Sequence, residues 1–552
     1  MDKSVFRILF FASLASATVC LLFVCLGWQW NTFDAYTHVF LGSHYSNNFF
    51  SLWNSSWYGG FSIAHYPPLL HQLIAIFSLF AGLKASYSFI LVLIYFLLPS
   101  SIYLFARLWQ GKRRAVYAAF LAVFLSSISL TVFRNGQITT MWSLPFSMYS
   151  LVYFVLWQRT GRRPYFLISF LAALIVVFSH HFTGILIFPV FFAINVFYKF
   201  RKYVMRRMFL KHLFSFGLLL LVFDFIVLCP YWNLQFFIKK SAESIYHLSR
   251  ANYLRDFRAF LVFCFLPYLT YIPFIPFLFV FRLSKRNRFL LMVFIFSFLV
   301  SLGDTFAFSR RILGSLFYII TLDRISLWAT IFALPIASSI LYGLRKEWRS
   351  HFYVLCILIL AAFVVCQTSS FWLPHQEYRG SIEETVDFIN NTVKNNARYI
   401  TLGLGDRISN ISYLTKTETL DGNLHASREL DILNKYPIEK IDNTKYFGEQ
   451  GRVALLEILG ASEDYDLNYV FCFSEYYIPF LKNTGWTLKA EIGKKSRECS
   501  VWTKGSPDGI TTIVNMRESP SYQKILWGLL PISVFVLFCV VFTFKGFFTR
   551  FI

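Results

Sequence analysis

Long apolar stretches separated by short polar loops dominate this chain. A helix needs about 20 apolar residues to cross the hydrocarbon core of a bilayer. Runs of this kind predict twelve membrane spans, near 8–28, 85–106, 115–131, 140–158, 164–179, 182–198, 213–233, 259–281, 289–303, 325–344, 351–368 and 525–544. A further apolar stretch at 68–83 is shorter, and we interpret it as an interfacial or re-entrant helix. The pattern predicts a mainly α-helical, polytopic membrane protein.

One long polar segment, residues 370–523, interrupts the apolar pattern before the last span. We name it the distal domain. It opens with a helical pattern at 381–395, and strand-like runs follow at 399–404, 468–473 and 501–504, which predicts an α/β or α+β domain. The parts expected along the chain are a transmembrane bundle at 1–369 with a first outer loop at 29–67, the distal domain, and a C-terminal transmembrane helix at 524–552.

The composition agrees with a membrane protein. Only 15% of the residues are charged and 56% are hydrophobic, whereas a soluble domain has about a quarter charged residues. Of 52 Lys+Arg and 29 Asp+Glu, the distal domain holds 17 and 21, which leaves 35 basic and eight acidic residues for the rest. This basic excess lies in short clusters between apolar segments, a pattern of membrane topology rather than of nucleic-acid binding.

The basic clusters also predict the orientation of the protein. Nineteen Lys and Arg residues fall in one set of alternate loops and nine in the other, and the first outer loop has none. Because basic loops stay in the cytoplasm, we expect both termini there and the distal domain outside, in a plasma (bacterial inner) membrane. Outside the cytoplasm, Cys472 and Cys499 of the distal domain either form a disulfide or remain two free thiols.

Polar residues gather at the predicted outer surface. Six of the eight acids outside the distal domain fall there, and ionisable residues at membrane depth are costly and usually functional. The candidate substrate-binding residues at this surface are His65, Tyr66, Arg134, Gln137, His180, His181, Arg310, Arg311, Asp323 and Arg324. We interpret this bias as a reaction centre at the outer interface.

The first outer loop carries the candidate catalytic pair. Asp34 and His38 lie one turn apart on one face if this segment is helical. Such a pair can accept a proton from a hydroxyl, or it can share a divalent metal such as Mg or Mn, with Asp34 as the ligand. The alternative is that Asp34 only caps a short helix.

The other candidates also allow two interpretations each. His65 and Tyr66 belong to a segment that either shapes an acceptor cleft or anchors aromatic rings at the headgroups. His180 and His181 form either a polar wall of the site or part of the packing. The outer arginines either bind phosphate, as guanidinium groups do in a bidentate manner, or contact lipid headgroups, and Arg324 also has Asp323 beside it as an ion-pair partner.

The first outer loop resembles that of a known family. Asp34, the D-x-x-x-H spacing to His38, the glycine pair Gly59-Gly60 and the Y-P-P-L sequence at 66–69 are similar to bacterial and archaeal membrane proteins labelled "6-pyruvoyl-tetrahydropterin synthase-related". The architecture of those proteins is similar to that of the GT-C membrane glycosyltransferases. In GT-C enzymes an acid of the first outer loop serves as catalytic base or metal ligand, and Asp34 matches it. This chain departs from that pattern because a histidine stands where a paired acid is usual.

The resemblance implies a glycosyltransferase of the lipid bilayer. It would move a sugar from a polyprenyl-phosphate donor to a glycan, lipid or protein acceptor in envelope glycan assembly. Two alternatives are a lipid-linked-sugar transporter or flippase and a non-enzymatic scaffold of polysaccharide assembly. A transporter is expected to carry charges near the bilayer midplane, where only Asp224 comes close.

Overall fold

The structure is a computed structural model. It describes residues 3–202, 207–234, 247–280, 283–318, 320–344, 382–393, 397–428, 430–493, 498–505 and 519–543, with a few single residues between them. These residues form a bundle of apolar helices, with an α/β unit at one end of it. We name that end of the bundle the domain end.

The helices of the bundle confirm a mainly α-helical membrane protein. In chain order they are α1 (Lys3–Cys25), α2 (Ala35–Asn47), α3 (Leu69–Ala81), α4 (Leu83–Trp109), α5 (Lys112–Val123), α6 (Ser126–Leu130), α7 (Ile138–Thr160), α8 (Arg163–Ser179), α9 (Phe188–Phe200), α10 (Arg207–Val227), α11 (Cys229–Asn233), α12 (Phe257–Ala259), α13 (Leu266–Tyr268), α14 (Ile275–Val280), α15 (Lys285–Val300), α16 (Ala307–Leu313) and α17 (Asp323–Gly343). Turns of π-helix at Thr131–Asn135, Thr183–Ile187 and Phe260–Phe265 join several of them into longer rods.

Eight helices among the described residues are long and apolar enough to cross a membrane. They are Ser4–Cys25, Leu83–Trp109, Lys112–Asn135, Thr183–Phe200, Arg207–Val227, Phe257–Phe279, Asp323–Gly343 and Ser521–Val541. Three further predicted spans correspond to α7, α8 and α15, which are shorter or richer in polar side chains. The predicted span at 351–368 lies almost wholly outside the described residues.

The first outer loop folds into a compact layer at the domain end. Helix α2 is buried from Ala35 to Tyr45, and two short antiparallel strands follow, β1 (Trp53–Asn54) and β2 (Phe61–Ser62). The predicted apolar helix at 68–83 is α3, which buries its first half and leaves the other half exposed. Because this layer is mostly buried, its polar side chains face protein rather than bulk water.

The distal domain contains a mixed sheet. Its strands are β3 (Arg398–Leu402), β4 (Glu418–Thr419), β5 (Leu467–Cys472), β6 (Thr487–Ile492) and β7 (Cys499–Thr503), in the order β4-β3-β5-β7-β6. Strand β3 is parallel to β4 and β5, whereas β7 is antiparallel to β5 and β6. Its helices are α18 (Ile382–Thr392), α19 (Ile408–Leu414), α20 (Asp431–Asn434), α21 (Gly448–Gly460) and α22 (Ile478–Asn483).

The predicted α/β class of this domain is confirmed. The three expected strands correspond to β3, β5 and β7, and the expected opening helix to α18. The sequence pattern missed β4, which has only two residues, and β6, which is largely exposed. Cys472 and Cys499 are both free thiols.

The distal domain is anchored to the first outer loop. The backbone N–H of Thr419 donates to the carbonyl of Ser56 (2.9 Å), so the loop continues the sheet edge at β4. The indole N–H of Trp57, a fully buried residue, donates to the hydroxyl of Ser412 (2.8 Å). A Cβ at Gly422 would approach the Trp57 ring to 2.6 Å, so glycine permits this close packing.

The last span also packs on this loop. This span, α23 (Ser521–Val541), offers the carbonyl of Trp527 to the side-chain amide of Gln72 (2.9 Å). The indole of Trp527 in turn donates to the hydroxyl of Tyr45 (2.9 Å). The distal domain and the last span therefore both pack on residues 29–81.

Candidate active site

Asp34 occupies the N-cap position of α2, just beyond the first span. Its backbone N–H donates to the carbonyl of Asn135 (3.2 Å), and that of Phe33 donates to the carbonyl of Arg134 (3.3 Å). Gly136 permits this contact because it has a φ of +75° and a Cβ there would lie 2.9 Å from the Asp34 backbone nitrogen. The loop is thus fixed to the end of the rod Lys112–Asn135.

The Asp34 carboxyl group does not cap its helix. No capping hydrogen bond is made by this side chain, so the alternative reading as a simple cap finds no support in the geometry. Burial raises the pKa of Asp34 to about 7; Asp406 adds to the rise, and Arg324 opposes it. A carboxyl group that titrates near neutrality is suited to accept a proton at physiological pH.

His38 lies one turn further along α2 and is part of a hydrogen-bonded chain. Its Nδ1 is 3.0 Å from Nε2 of His71, a residue that the sequence analysis did not select. The other ring nitrogen of His71 hydrogen-bonds the backbone carbonyl of Pro67 and so carries a proton. Nε2 of neutral His71 is then the acceptor, Nδ1 of His38 is the donor, and Nε2 of His38 keeps its lone pair.

Both imidazoles are held in the neutral form. Burial lowers the pKa of His38 well below its usual range, and burial lowers the pKa of His71 to about 3. The direction of the hydrogen bond between the two histidines follows from this neutrality, because a charged His71 has no lone pair with which to accept. This hydrogen bond therefore orients the unprotonated Nε2 of His38 one helical turn from Asp34.

Tyr66 brings the histidine groups together. Its ring centroid is 5.2 Å from His71 and 5.4 Å from His181, and its hydroxyl shares a hydrogen bond of 2.9 Å with Thr139. His65, the residue before it, is buried at the end of a short 3₁₀ turn. The aromatic segment of the first loop thus packs against candidate residues rather than lying at a lipid surface.

His180 offers a buried donor without a protein acceptor. The backbone N–H of Thr183 donates to Nδ1 of His180 (3.3 Å), which therefore lacks a proton. Nε2 then carries the hydrogen, and it has no hydrogen-bond partner among the described residues. Such orphaned buried groups call for an explanation, of which an absent ligand is one.

Asp323, at the start of α17, accepts hydrogen bonds from two amide side chains. Its Oδ2 accepts from the amide groups of Gln137 (2.7 Å) and Asn135 (3.2 Å), while its Oδ1 has no partner among the described residues. Arg134 is buried, donates to the side chain of Asn135 (3.0 Å) and faces the ring of Phe33. These contacts join the end of the Lys112–Asn135 rod to the start of α17.

Arg324 lies among the candidate residues. Its guanidinium group is 5.3 Å from the centroid of the Phe182 ring, and it is close enough to act electrostatically on Asp34 and His38. It acts in the same way on Tyr66 and His180. Its Nε is buried and has no hydrogen-bond partner in the described part of the chain. The guanidinium group of Arg324 is therefore close to the site, and its Nε–H is a donor that no described residue accepts from.

The structure does not bring Arg310 and Arg311 to this group. Both lie exposed on α16, and Arg310 pairs with Asp304 at 2.5 Å. Asp224 lies near the domain end of α10, where the indole of Trp232 donates to its Oδ2 (3.0 Å). Its Oδ1 is buried and has no hydrogen-bond partner among the described residues, so the charge that the sequence placed nearest the midplane is only partly satisfied.

The distal domain contributes charges that the sequence analysis did not select. Asp406 and Glu439 both act on Asp34, and Lys440 forms a buried ion pair with Asp406. A charged residue in a soluble domain is too common to be noticed in a sequence. His71 did offer a signal, because a His-Gln pair interrupts the apolar half of α3 that is buried.

The potential metal ligands do not form a complete set. Among the described residues, no three His, Cys, Asp or Glu side chains are grouped so that they could hold one ion. Nδ1 of His38 is already engaged by His71. Asp34 and His38 therefore do not by themselves provide the donor set of a metal site.

Comparisons with known proteins bear on the fold. No protein-family model and no curated protein sequence matches this chain. Among solved structures it is similar to the oligosaccharyltransferase of Archaeoglobus fulgidus in the apo form, with 14% identity and a TM-score of 0.51 over 87% of this chain and 70% of that one. It is also similar to ArnT from Cupriavidus metallidurans bound to undecaprenyl phosphate, with 10% identity and a TM-score of 0.50 over 91% and 98%.

A third similar structure is the arabinofuranosyltransferase AftD from Mycobacteria. The identity is 12% and the TM-score 0.52, over 91% of this chain and 40% of AftD. This chain therefore corresponds to less than half of that larger protein. At such identities the likeness concerns architecture, and it agrees with the predicted fold: this chain has the fold of the GT-C membrane glycosyltransferases.

Proposed function

We propose that this protein is a membrane glycosyltransferase that moves a sugar from a polyprenyl-phosphate donor to an extracytoplasmic acceptor in envelope glycan assembly. The observation that carries the proposal is the pair of buried donor atoms that have no acceptor among the described residues, Arg324 Nε and His180 Nε2, together with the raised pKa of Asp34, on which Arg324 acts. Phosphate oxygens are acceptors that such donors satisfy, and arginine binds phosphate well.

The structural likeness supports the same donor class. The similar ArnT structure is described as bound to undecaprenyl phosphate. The resemblance of the first outer loop to the 6-pyruvoyl-tetrahydropterin synthase-related proteins is a further part of the proposal, and it depends on the sequence motifs. The orientation, with both termini cytoplasmic and the distal domain outside, likewise depends on the basic loops.

The proposed step is a displacement at the anomeric carbon of the sugar. The Asp34 carboxylate accepts the proton of an acceptor hydroxyl as its oxygen forms a bond to that carbon. The bond between the carbon and the phosphate oxygen breaks, and the phosphate leaves with the electron pair. Arg324 stabilises the negative charge that develops on the phosphate, which is the largest electrostatic demand of such a reaction.

His38 and His71 would position the acceptor. Nε2 of His38 keeps a lone pair one turn from Asp34, so it can accept a hydrogen bond from a second hydroxyl group of the acceptor. Asp323 Oδ1 and Gln137 Oε1, which have no partners among the described residues, offer two more acceptors for sugar hydroxyls. No step of this proposal is routed through a metal ion.

The distal domain would form the acceptor side of the site. Its residues Asp406 and Glu439 act electrostatically on Asp34, so this domain supplies part of the surroundings of the carboxyl group. Asp406 is in turn paired with the buried Lys440.

Transfer by the purified protein tests the proposal. The protein is reconstituted with radiolabelled polyprenyl-phosphate sugars and an extract of envelope acceptors, and label transfer is measured. We expect Asp34→Asn to lower transfer by about 10²–10⁴-fold, the usual contribution of a general base. The matched control is Asp304→Asn, which removes an exposed acid of another outer loop and should leave the rate unchanged. Equal rates for the wild type and Asp34→Asn would exclude the proposed base.

A further inference from the structure

A second polar cavity lies at the end of the bundle opposite the distal domain. Its walls come from the first residues of α5, the first residues of α15 and the last residues of α17. The α17 residues of the cavity, Ser339 to Gly343, lie roughly 25 Å from Arg324 along the helix axis.

The lining of this cavity is cationic. Arg114, Lys285 and Arg288 are exposed to it, and no ion pair engages them within the described part of the chain. The Arg114 guanidinium group is held 5.4 Å from the centroid of the Tyr342 ring. The remaining lining residues are Leu283, Ser284, Asn287, Ser339, Ile340 and Gly343, which include no acid.

The start of α15 adds to the positive potential. Ser284 caps this helix by accepting from the backbone N–H of Asn287 (3.2 Å), and the free N–H groups of the first turn lie beside Lys285 and Arg288. A helix N-terminus carries about half a positive charge, which adds to that of the three side chains. The cavity has a volume of about 470 Å³, within the range of about 300–1,000 Å³ usual for ligand sites.

We propose that this cavity binds a phosphate-bearing anion, independently of the proposed transfer reaction. The three cations, which form no ion pair among the described residues, the helix N-terminus and the hydroxyl and amide groups of the lining are the donor set that a phosphate group satisfies. Leu283 and Ile340 provide apolar walls beside it, which suit the glycerol and acyl part of a phospholipid. The ligand chemistry is thus a phosphate ester, whose source is either a lipid headgroup or a soluble phosphate compound.

Lipid binding to the intact protein tests this site. The purified full chain is titrated with short-chain phosphatidylglycerol or, separately, with inorganic pyrophosphate, and bound species are counted by native mass spectrometry. Removal of one juxtamembrane cation weakens binding of an anionic lipid about fivefold. We therefore expect the double variant Arg114→Gln and Arg288→Gln to bind the lipid at least tenfold more weakly, and Lys285→Gln to show a smaller loss.

The control variant also removes two positive charges from this end of the bundle, but from outside the cavity. Arg113 and Arg163 are exposed there but do not line the cavity, so Arg113→Gln with Arg163→Gln should bind like the wild type. Selective loss of the lipid alone identifies a headgroup site, and selective loss of both probes identifies a general phosphate site. Equal losses in the cavity and control variants, or no binding of either probe, would overturn the proposal.

Discussion

Two loops at the domain end show opposite uses of charge. The first outer loop is buried, has no basic residue between 29 and 67, and places Asp34 against the distal domain and the start of α17. The last outer loop, at 301–322, carries Arg310 and Arg311 on an exposed helix, where Arg310 pairs with Asp304. The sequence placed the candidate catalytic pair in the first loop and offered the arginines of the last loop as candidates for phosphate binding.

This difference shows that the number of charged residues in a loop does not indicate whether the loop belongs to a functional site. An exposed ion pair is satisfied by its partner and by water, and its net contribution to stability is small. A buried charge without a complete set of partners is costly, so it persists where a ligand compensates for it. Arg324 is half-buried, and its buried Nε has no partner among the described residues, so it is closer to the second description, whereas Arg310 meets the first.

Separate replacements of Arg324 and of Arg310 should give the largest difference in transfer rate. We expect Arg324→Gln to lower label transfer by about 10²–10³-fold, because it removes a donor aimed at developing charge. Arg310→Gln should change the rate less than twofold. Transfer assays at saturating donor measure both. If the two variants lose activity equally, the distinction between the half-buried Arg324 and the exposed Arg310 is wrong.

A smaller effect on transfer is expected when His38 loses its hydrogen bond to His71. His71→Phe keeps a large buried ring but removes the acceptor for Nδ1 of His38, and loss of such an orienting partner lowers activity by roughly 10–100-fold. The matched control is His44→Phe, at a buried histidine of α2 whose ring bonds Ser51 and Asn54 among the described residues. Its transfer rate should stay within a few-fold of wild type. Equal losses would indicate that both histidines only hold the loop together.

The pH dependence should separate Asp34 from ordinary surface acids. Because burial raises its pKa to about 7 and the carboxylate is the active form, kcat/KM should rise with pH through that value. Between about pH 4 and pH 7 the folded protein binds more protons at this site than the unfolded chain, so wild-type stability falls as pH rises there.

Thermal unfolding checks the same shift without any substrate. Asp34→Asn should raise the Tm at pH 8 and leave it unchanged at pH 4, whereas Asp304→Asn should show no such difference. If the Tm of Asp34→Asn follows the wild type at both pH values, the pKa of this carboxyl group is not raised.

The smallest effect concerns the anchor of the first loop. Ser412→Ala leaves the buried indole N–H of Trp57 without its acceptor, which costs about 1–3 kcal/mol. We expect faster amide hydrogen exchange across 53–62. In the control, Ser500→Ala removes a similar bond to Trp502 (2.9 Å) inside the distal domain, so exchange in the loop should not change. Unchanged exchange in Ser412→Ala would show that this bond does not hold the loop.

Much of the architecture could be predicted because it depends on local patterns. An apolar run of about 20 residues is a membrane helix wherever it packs, and alternating or β-branched runs indicated β3, β5 and β7. The place of Asp34 just beyond the first span could likewise be predicted from the extent of that apolar run. The prediction failed for β4, since a two-residue strand has no pattern of its own and exists only because Ser56 and β3 lie beside it.

The sequence by itself determined a polytopic membrane protein with one α/β domain and an acid at the exit of its first span, because apolar length and charge are properties of the chain alone. Only the tertiary structure decided that Arg324 rather than Arg310 faces this acid, that His71 fixes the tautomer of His38, and that Asp406 approaches from a domain more than 350 residues away. The physical reason is that two charged residues become neighbours only when distant segments of the chain pack together. The depth of burial then determines how strongly the two charges interact.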